Sequence, residues 1–328
     1  MKISPKFNFL LLRGSYNPYL FRQFSWRIRY VDVCPLWRCD ARCPTCGAWK
    51  RQAPELSFEQ AKRFIEYFTR MDRVVIEGGE PTLWEHLEYF VQNVDSKHVM
   101  IISHGMNPGK ISYLARKFSP EKVHWLISLN GIGKTHDASR GVKGAYPKTM
   151  KSIKLLKKLG YTVNLSFVGF QENIDEYPKV RAKAEELGCH LDLCFPVGNV
   201  KFGEWMKWHF VDYERILQIQ RNNYLTGRTK RLNRLAKKKF IEGVAERKLL
   251  PCFAGKSMAH INPFGIIRPC CWDETMEIGK ITDGGVFIDE KKRREYQKTR
   301  IPQECQYTDG RLCGDCFVHF SIRSSLII

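Results

Sequence analysis

No run of eighteen apolar residues occurs anywhere in this chain of 328 residues, which excludes a simple transmembrane helix. The first twelve residues contain a short apolar stretch but no small-residue cleavage site, so no secretory signal is expected. Internal repeats and low-complexity segments are absent too, which sets aside solenoid and linker-like architectures. Acidic residues are scarce: 34 Asp and Glu stand against 54 Lys and Arg, a net charge of +20. What is present is cysteine, twelve of them. Without a secretion signal these point to a reducing compartment and to metal ligation rather than disulfides. A cytoplasmic protein is expected, peripheral to the membrane as the alternative. Length suggests two domains, and 43% hydrophobic residues suffice for a sizeable core.

The most informative run is Cys39-Asp40-Ala41-Arg42-Cys43-Pro44-Thr45-Cys46. Three thiolates on one loop can hold three corners of an iron–sulfur cube and leave the fourth iron open to a substrate. Short cysteine spacings also occur in zinc sites, and Cys34 is the nearby fourth ligand such a site would need. About thirty residues on, the apolar run Val74-Val75-Ile76 ends in Glu77-Gly78-Gly79-Glu80-Pro81. Further on, Trp125-Leu126-Ile127-Ser128-Leu129-Asn130-Gly131 precedes His136-Asp137 and Arg140-Gly141.

Together, in this order, these motifs resemble the radical S-adenosylmethionine (SAM) superfamily over roughly residues 28 to 195. There, a C-x3-C-x2-C loop follows the first strand and Gly-Gly-Glu-Pro follows the second. The resemblance implies that Cys39, Cys43 and Cys46 hold a 4Fe–4S cluster whose open iron chelates the amino and carboxylate groups of SAM. One electron then cleaves a carbon–sulfur bond, and the resulting 5′-deoxyadenosyl radical abstracts a substrate hydrogen. Gly78 and Gly79 would let backbone approach the ligand, Glu80 would offer a carboxylate to its amino group, and Pro81 closes the turn. The sequence departs from the commonest pattern at Thr45, where an aromatic is frequent, at Asn130 for aspartate, and at His104-Gly105 for Asn-Gly. The fifth strand shows no clear adenine-binding signature.

Strand-like runs at 29–34, 73–77, 98–103, 123–129, 162–168 and 190–195 alternate with helical patterns near 57–70, 84–94, 110–118, 147–159 and 174–187. Such alternation means a parallel sheet. The fold class is α/β, and the resemblance makes it a partial (β/α)6 barrel with its site at the carboxyl ends of the strands. Period-two patterning puts Ser128 and Asn130, Asn164 and Ser166, and His190, Asp192 and Cys194 opposite the apolar faces of their strands. Ser128, Asn130, Asn164, Ser166 and Asp192 are therefore expected to line the SAM and substrate cavity, and the resemblance assigns Ser128 and Asn130 to the ribose end of SAM. Cys34 and Cys189 read as small buried hydrophobes, whereas Cys194 is a candidate to face substrate. No catalytic acid or base is legible.

The C-terminal part carries a second set: Cys252, then Ile261-Asn262-Pro263-Phe264-Gly265, Cys270-Cys271, Cys305 and Cys313-Gly314-Asp315-Cys316. This looks like the SPASM or twitch extension of radical SAM enzymes, a small cysteine-rich domain that holds auxiliary 4Fe–4S clusters. One auxiliary cluster on Cys252, Cys270, Cys313 and Cys316 is expected, two clusters in all. Cys271 or Cys305 could replace one ligand, and structural zinc is the rival. The organisation expected is a basic, aromatic segment at 1–28, the barrel at 29–198, a basic helical connector at 199–250 and the cluster domain at 251–328.

Positive charge is clustered. Seven of the twelve residues from Arg228 to Lys239 are Lys or Arg, and the N-terminal segment interleaves Lys6, Arg13, Arg22, Arg27 and Arg29 with Phe7, Phe9, Phe21, Phe24 and Trp26. Such a segment suits a membrane surface or another anionic partner, or is simply a solvated lysine-rich surface. No RNA-binding motif is present, so specific nucleic-acid binding is not expected. A one-electron donor such as ferredoxin or flavodoxin is implied. The readings of function are an enzyme acting on a peptide or protein, on a small polar metabolite, or on a lipid or lipid-linked sugar. A non-catalytic iron–sulfur carrier is the reading from outside enzymology, and a carrier would have no use for Gly79 and Glu80.

Overall fold

The structure, a computed structural model, describes residues 27–194, 254–271 and 276–299. The chain runs β1 (Tyr30–Val33), α1 (Phe58–Tyr67), β2 (Met71–Ile76), α2 (Leu87–Asn93), β3 (Ser96–Ser103), α3 (Pro108–Ala115), β4 (Val123–Ser128), α4 (Lys134–Arg140), α5 (Ala145–Lys158), β5 (Val163–Val168), α6 (Tyr177–Glu186) and β6 (His190–Cys194). Then come β7 (Met258–Ile261), β8 (Ile266–Arg268), β9 (Gly279–Thr282), β10 (Gly285–Ile288) and α7 (Glu290–Thr299). Strands β1 to β6 pair in parallel in chain order, the parallel sheet that the alternation implied. No helix among the described residues is long and apolar enough to cross a membrane.

Local chemistry sets the element ends. Helix α1 starts at a capping box: the Ser57 hydroxyl accepts the Gln60 amide at 3.1 Å, and the Gln60 side chain accepts the Ser57 amide at 3.0 Å. Pro108 opens α3, where its missing N–H leaves no bond unmade. Strand β2 starts two residues before the strand-like run at 73–77, because Asp72 is buried in an ion pair with Arg29 at 2.6 Å, which removes the cost of a lone charge. Helix α4 has no counterpart in the sequence reading: it is seven residues long, begins after glycine and shows no apolar periodicity.

Alternate strand residues point to opposite faces, and the faces differ in kind. Val31, Val33, Val74, Ile76, Val99, Ile101, Trp125, Ile127, Leu165 and Phe167 pack against Phe64, Phe90, Ile111, Leu114, Ile153, Leu156 and Val180 of the surrounding helices in one continuous core. The other face is polar around an apolar centre, where Val75, Met100 and Leu126 form a separate cluster with Ile102. Its cross-strand rows include Leu126, Asn164 and His190, and then Ser128, Ser166 and Asp192. Asn164, Ser166 and Asp192 are buried, and Ser128 is half-buried.

Beyond β1 the sheet continues. Strand β7 pairs with β1 in parallel, Tyr30 opposite Met258 and Asp32 opposite His260, and β8, β9 and β10 follow as an antiparallel meander. The far edge of β1 is thereby paired rather than left open. The β7–β8 turn is held by Asn262, which is buried and whose side-chain oxygen accepts the amides of Phe264 at 3.0 Å and Ile266 at 3.1 Å. Replacing Asn262 with alanine strands both donors and should lower stability by about 1–3 kcal/mol. Asn262→Asp, which keeps the acceptor, should recover most of the loss in urea denaturation. An unchanged midpoint for the alanine variant would remove Asn262 from this role.

Candidate active site

Cys39, Cys43 and Cys46 lie on the loop that leaves the carboxyl end of β1, and they gather in one cluster with Ala41, Met106, Val142 and Ala145. The loop is shaped from below by the turn after β2. Gly79 donates its amide to the Leu36 carbonyl at 2.9 Å, and Glu80 donates to the Arg38 carbonyl at 3.0 Å. A β-carbon on Gly78 would stand 2.4 Å from the Leu36 carbonyl oxygen. One on Gly79 would stand 2.2 Å from that of Arg38 and 2.5 Å from that of Trp37. The two glycines thus make room for the cysteine loop itself; Gly78 also has φ +124°, which side chains disfavour.

Glu80 is fully buried. One carboxylate oxygen accepts the Thr82 amide at 3.1 Å, the Thr82 hydroxyl at 2.6 Å and the Ser103 hydroxyl at 2.9 Å; the other accepts the His104 amide at 3.0 Å. Its carboxylate therefore ties the ends of β2 and β3 together, four bonds to one charge. Pro81, also buried, starts the single 3-10 turn that Glu80 caps. His104 accepts the Met106 amide on Nδ1 at 2.9 Å, so its proton sits on Nε2, 2.5 Å from Asp40. Asn107 donates to the same carboxylate at 3.1 Å. The His104 bond holds the Asp40 carboxyl down at about 2.

From the other side the loop is held by the C-terminal end of α4. Arg42 donates its amide to the Arg140 carbonyl at 2.7 Å, and Gly141 lies so close that a β-carbon would meet the Arg42 carbonyl oxygen at 2.3 Å. The buried Arg140 guanidinium donates to Cys43 Sγ at 3.6 Å. The Arg42 guanidinium donates to the carbonyls of Cys39 and Ala41 at 2.7 and 2.8 Å, and Trp49 donates its indole N–H to the Cys43 carbonyl at 3.2 Å. His136 accepts the Asn130 amide at 3.1 Å; burial first, then the charges of Arg140 and His104, pushes its pKa down to about 2 and keeps it neutral. The Asp137 carboxylate accepts the amides of Gly144 and Tyr146 and so starts α5.

Three cysteines in this setting fit an iron–sulfur cluster better than a single ion. Burial, reinforced by the nearby carboxylates, raises the Cys39 thiol to about 12, so the thiolate needs a bound cation. Arg140 supplies part of the compensation at Cys43. Among the described residues, the one three-ligand grouping closed within 4.8 Å is Cys39, Asp40 and His104. The three sulfurs are thus spread wider than the roughly 3.8 Å that a tetrahedral zinc would impose. In that small grouping both His104 nitrogens are already used, which leaves no lone pair for a metal.

The remaining sequence-derived residues divide. Ser128, Asn164 and Ser166 share the inner face, as expected. Asn130 is buried and spends its side-chain oxygen on the Val168 amide at 3.0 Å, joining β4 to the end of β5. Cys34 is buried and donates to the Leu36 carbonyl. Cys194 lies 3.9 Å from the Ser166 hydroxyl on the inner face. Cys270 and Cys271 are buried, the former packed with Ala254 and Tyr296. Cys252, Cys305, Cys313, Cys316 and the basic segments lie outside the described residues. Asp40, Arg42, Trp49 and His104 escaped the sequence reading as supports of the site; the unusual His104-Gly105 pair was the available signal.

Gly79→Ala should displace the cysteine loop, cost about 1–3 kcal/mol as overpacking does, and lower the iron content of the reconstituted protein severalfold. Normal iron loading with an unchanged melting temperature would show that the loop tolerates a β-carbon there.

Comparison with known proteins follows the same residues. The family model of the Radical SAM superfamily matches residues 35–184. The AdoMet-dependent heme synthase of Oleidesulfovibrio alaskensis is 23% identical over 313 residues, covering 86% of this chain and 78% of that protein. The antilisterial bacteriocin subtilosin biosynthesis protein AlbA of Bacillus subtilis is 26% identical over 257 residues, 71% of this chain and 52% of AlbA. Among solved structures, SuiB of Streptococcus suis bound to the precursor peptide SuiA superposes with a TM-score of 0.63 at 12% identity, over 96% of this chain and 77% of that one. A matched domain at residues 35–184, laid over a three-cysteine loop packed on Gly78-Gly79-Glu80, shows that this chain carries a radical SAM domain, as its enzyme relatives do.

Proposed function

We propose that this enzyme generates a carbon radical from SAM and uses it on a peptide or protein substrate. When bound, the 4Fe–4S cluster supplies the electron that splits a carbon–sulfur bond of SAM. The chain's own contribution is to hold three thiolates with Arg140 beside one of them and to shape the loop through Gly78, Gly79 and Glu80. It also supplies a polar inner face across β4, β5 and β6.

The observation that carries the peptide reading is that lining. Ser128, Ser166 and Asp192 form one row across β4, β5 and β6 with Asn164 in the row before it, and Asp32 of β1, His260 of β7 and Glu77 after β2 join them. His190 reaches Asp192 at 3.1 Å, and Glu77 lies 3.6 Å from His260. Carboxylates, amides and hydroxyls complement the N–H and C=O groups of a main chain. The likeness to AlbA, named for bacteriocin biosynthesis, and to SuiB with its precursor peptide supports the same reading.

A second reading has an observation of its own. The relative that spans 86% of this chain is named a heme synthase, which makes an iron porphyrin the competing substrate class. Its propionates would call on the inner-face guanidiniums of Arg73 and Arg268 rather than on the carboxylates. Reduced, reconstituted enzyme should release 5′-deoxyadenosine faster with ribosomally made precursor peptides than alone, and Cys43→Ala should abolish release. Stimulation by iron coproporphyrin and not by peptides would replace the first reading with the second.

A further cluster on Cys252, Cys270, Cys313 and Cys316 belongs to the same proposal, supported by the buried Cys270 beside the β7–β8 hairpin. The variant with Cys39, Cys43 and Cys46 all changed to alanine should retain about four irons per chain, one cluster's worth. Iron-free protein would remove the second cluster.

A further inference from the structure

The outer side of the cysteine loop is basic and aromatic. Trp49, half-buried, donates to the carbonyl of Cys43 at 3.2 Å while its ring lies under two cations, with the Arg42 guanidinium 5.2 Å and the Lys50 ammonium 5.1 Å from its centre. Arg42 and Lys50 are exposed. The main chain of Arg42 is bonded to Arg140, and Gly141 abuts it, so the segment that leads into α5 forms the next part of the same surface. Ala145 at the start of α5 packs with Cys43 itself. From Lys143 to Lys158 there are six lysines and no Asp or Glu. Lys143, Lys148, Lys151, Lys154, Lys157 and Lys158 are all exposed. Within α5, Lys148 is the first of them, one turn, about 5 Å, from Ala145.

We propose that this face docks an acidic one-electron donor protein, with Trp49 as the contact between the donor and the cysteine loop. The proposal rests on the radical SAM reading, because only a metal group at Cys39, Cys43 and Cys46 needs an electron delivered there. One electron leaves the donor's flavin, which is oxidised by one unit. It ends in the carbon–sulfur bond of SAM, which separates into methionine and the carbon radical. Charge complementarity selects the donor's sign, and opposite charge raises the encounter rate more than the final affinity. That suits a partner which must arrive, deliver and leave.

Two features speak against other anionic occupants. A membrane would need apolar side chains among the lysines to enter the acyl boundary. The large exposed hydrophobics among the described residues are Phe58, Tyr67, Tyr113, Phe264 and Phe287, all outside residues 38–51 and 141–158. Single-stranded nucleic acid would stack bases on an open aromatic face, and the Trp49 ring is already attended by Arg42 and Lys50.

The test compares two reductants on the reconstituted full chain: reduced flavodoxin, an acidic flavoprotein, and photoreduced 5-deazaflavin, which is small and carries no docking surface. The variant combines Lys50→Glu, Lys143→Glu, Lys148→Glu and Lys151→Glu. Iron content and reduction by deazaflavin should match the unsubstituted protein. The second-order rate of cluster bleaching by flavodoxin should fall at least tenfold at low salt, and its dependence on ionic strength should flatten. Trp49→Phe should keep flavodoxin affinity, read by titration of the flavin fluorescence, and slow bleaching. An unchanged flavodoxin rate in the four-fold variant overturns the proposal. So does equal slowing with both reductants, or loss of binding to anionic vesicles or RNA alone. Failure of the radical SAM reading would look different: no SAM cleavage with either reductant in the unsubstituted protein, whatever the rate of donor binding.

Discussion

Gly78 and Gly79 face the carbonyls of Leu36, Trp37 and Arg38 across a gap with no room for a β-carbon, and the amides of Gly79 and Glu80 close that gap with hydrogen bonds. Backbone packed directly on backbone is stiff, because neither partner can relieve a misfit by changing rotamer. Everything at the site hangs from this contact. The cysteine loop takes its course from it, and the buried Glu80 carboxylate, with four donors, carries the same restraint across to β3 and His104. Asp40, on the cysteine loop, closes the circuit back to His104.

A ring of contacts of this kind explains how short motifs far apart in the chain share one task. The end of β2 supplies the floor, the end of β3 supplies His104, and the C-terminal end of α4 supplies Arg140 and Gly141 on the opposite flank. Each sits where parallel strands end, so the sheet brings together groups from residues 34 to 145 without any long excursion of the chain. Strand β7 extends this logic by pairing with β1, the strand from which the cysteine loop departs. At its tip, Phe264 meets Trp37 of the cysteine loop edge to face at 5.5 Å, a contact between the C-terminal hairpin and the site.

Much of this was legible in the residues. The order of strands and helices followed from alternating apolar periods, and the cysteine loop and the Gly-Gly-Glu-Pro turn carried the resemblance to the radical SAM superfamily. What was not legible concerns direction. Gly78 and Gly79 read as room for a ligand, and the structure shows that they clear the cysteine loop's own carbonyls. Glu80 read as a hand extended to SAM, and its carboxylate is spent on Thr82, Ser103 and His104. Asn130 read as cavity lining, and its side-chain oxygen joins two strands. In each case the residue type set which bonds were possible, and only neighbours distant in sequence settled which were made.

Sequence alone determined the periodicities, the donor set and the excess of positive charge, because each depends on the identity and spacing of residues along the chain. Tertiary structure decided that β7 would pair with β1, and that Arg140 would stand beside Cys43 rather than in solvent. It also decided that Trp49 would link the surface to the backbone of Cys43. The reason is physical: local preferences act over a few residues, whereas burial and hydrogen-bond satisfaction are imposed by whichever segments the folded sheet brings into contact.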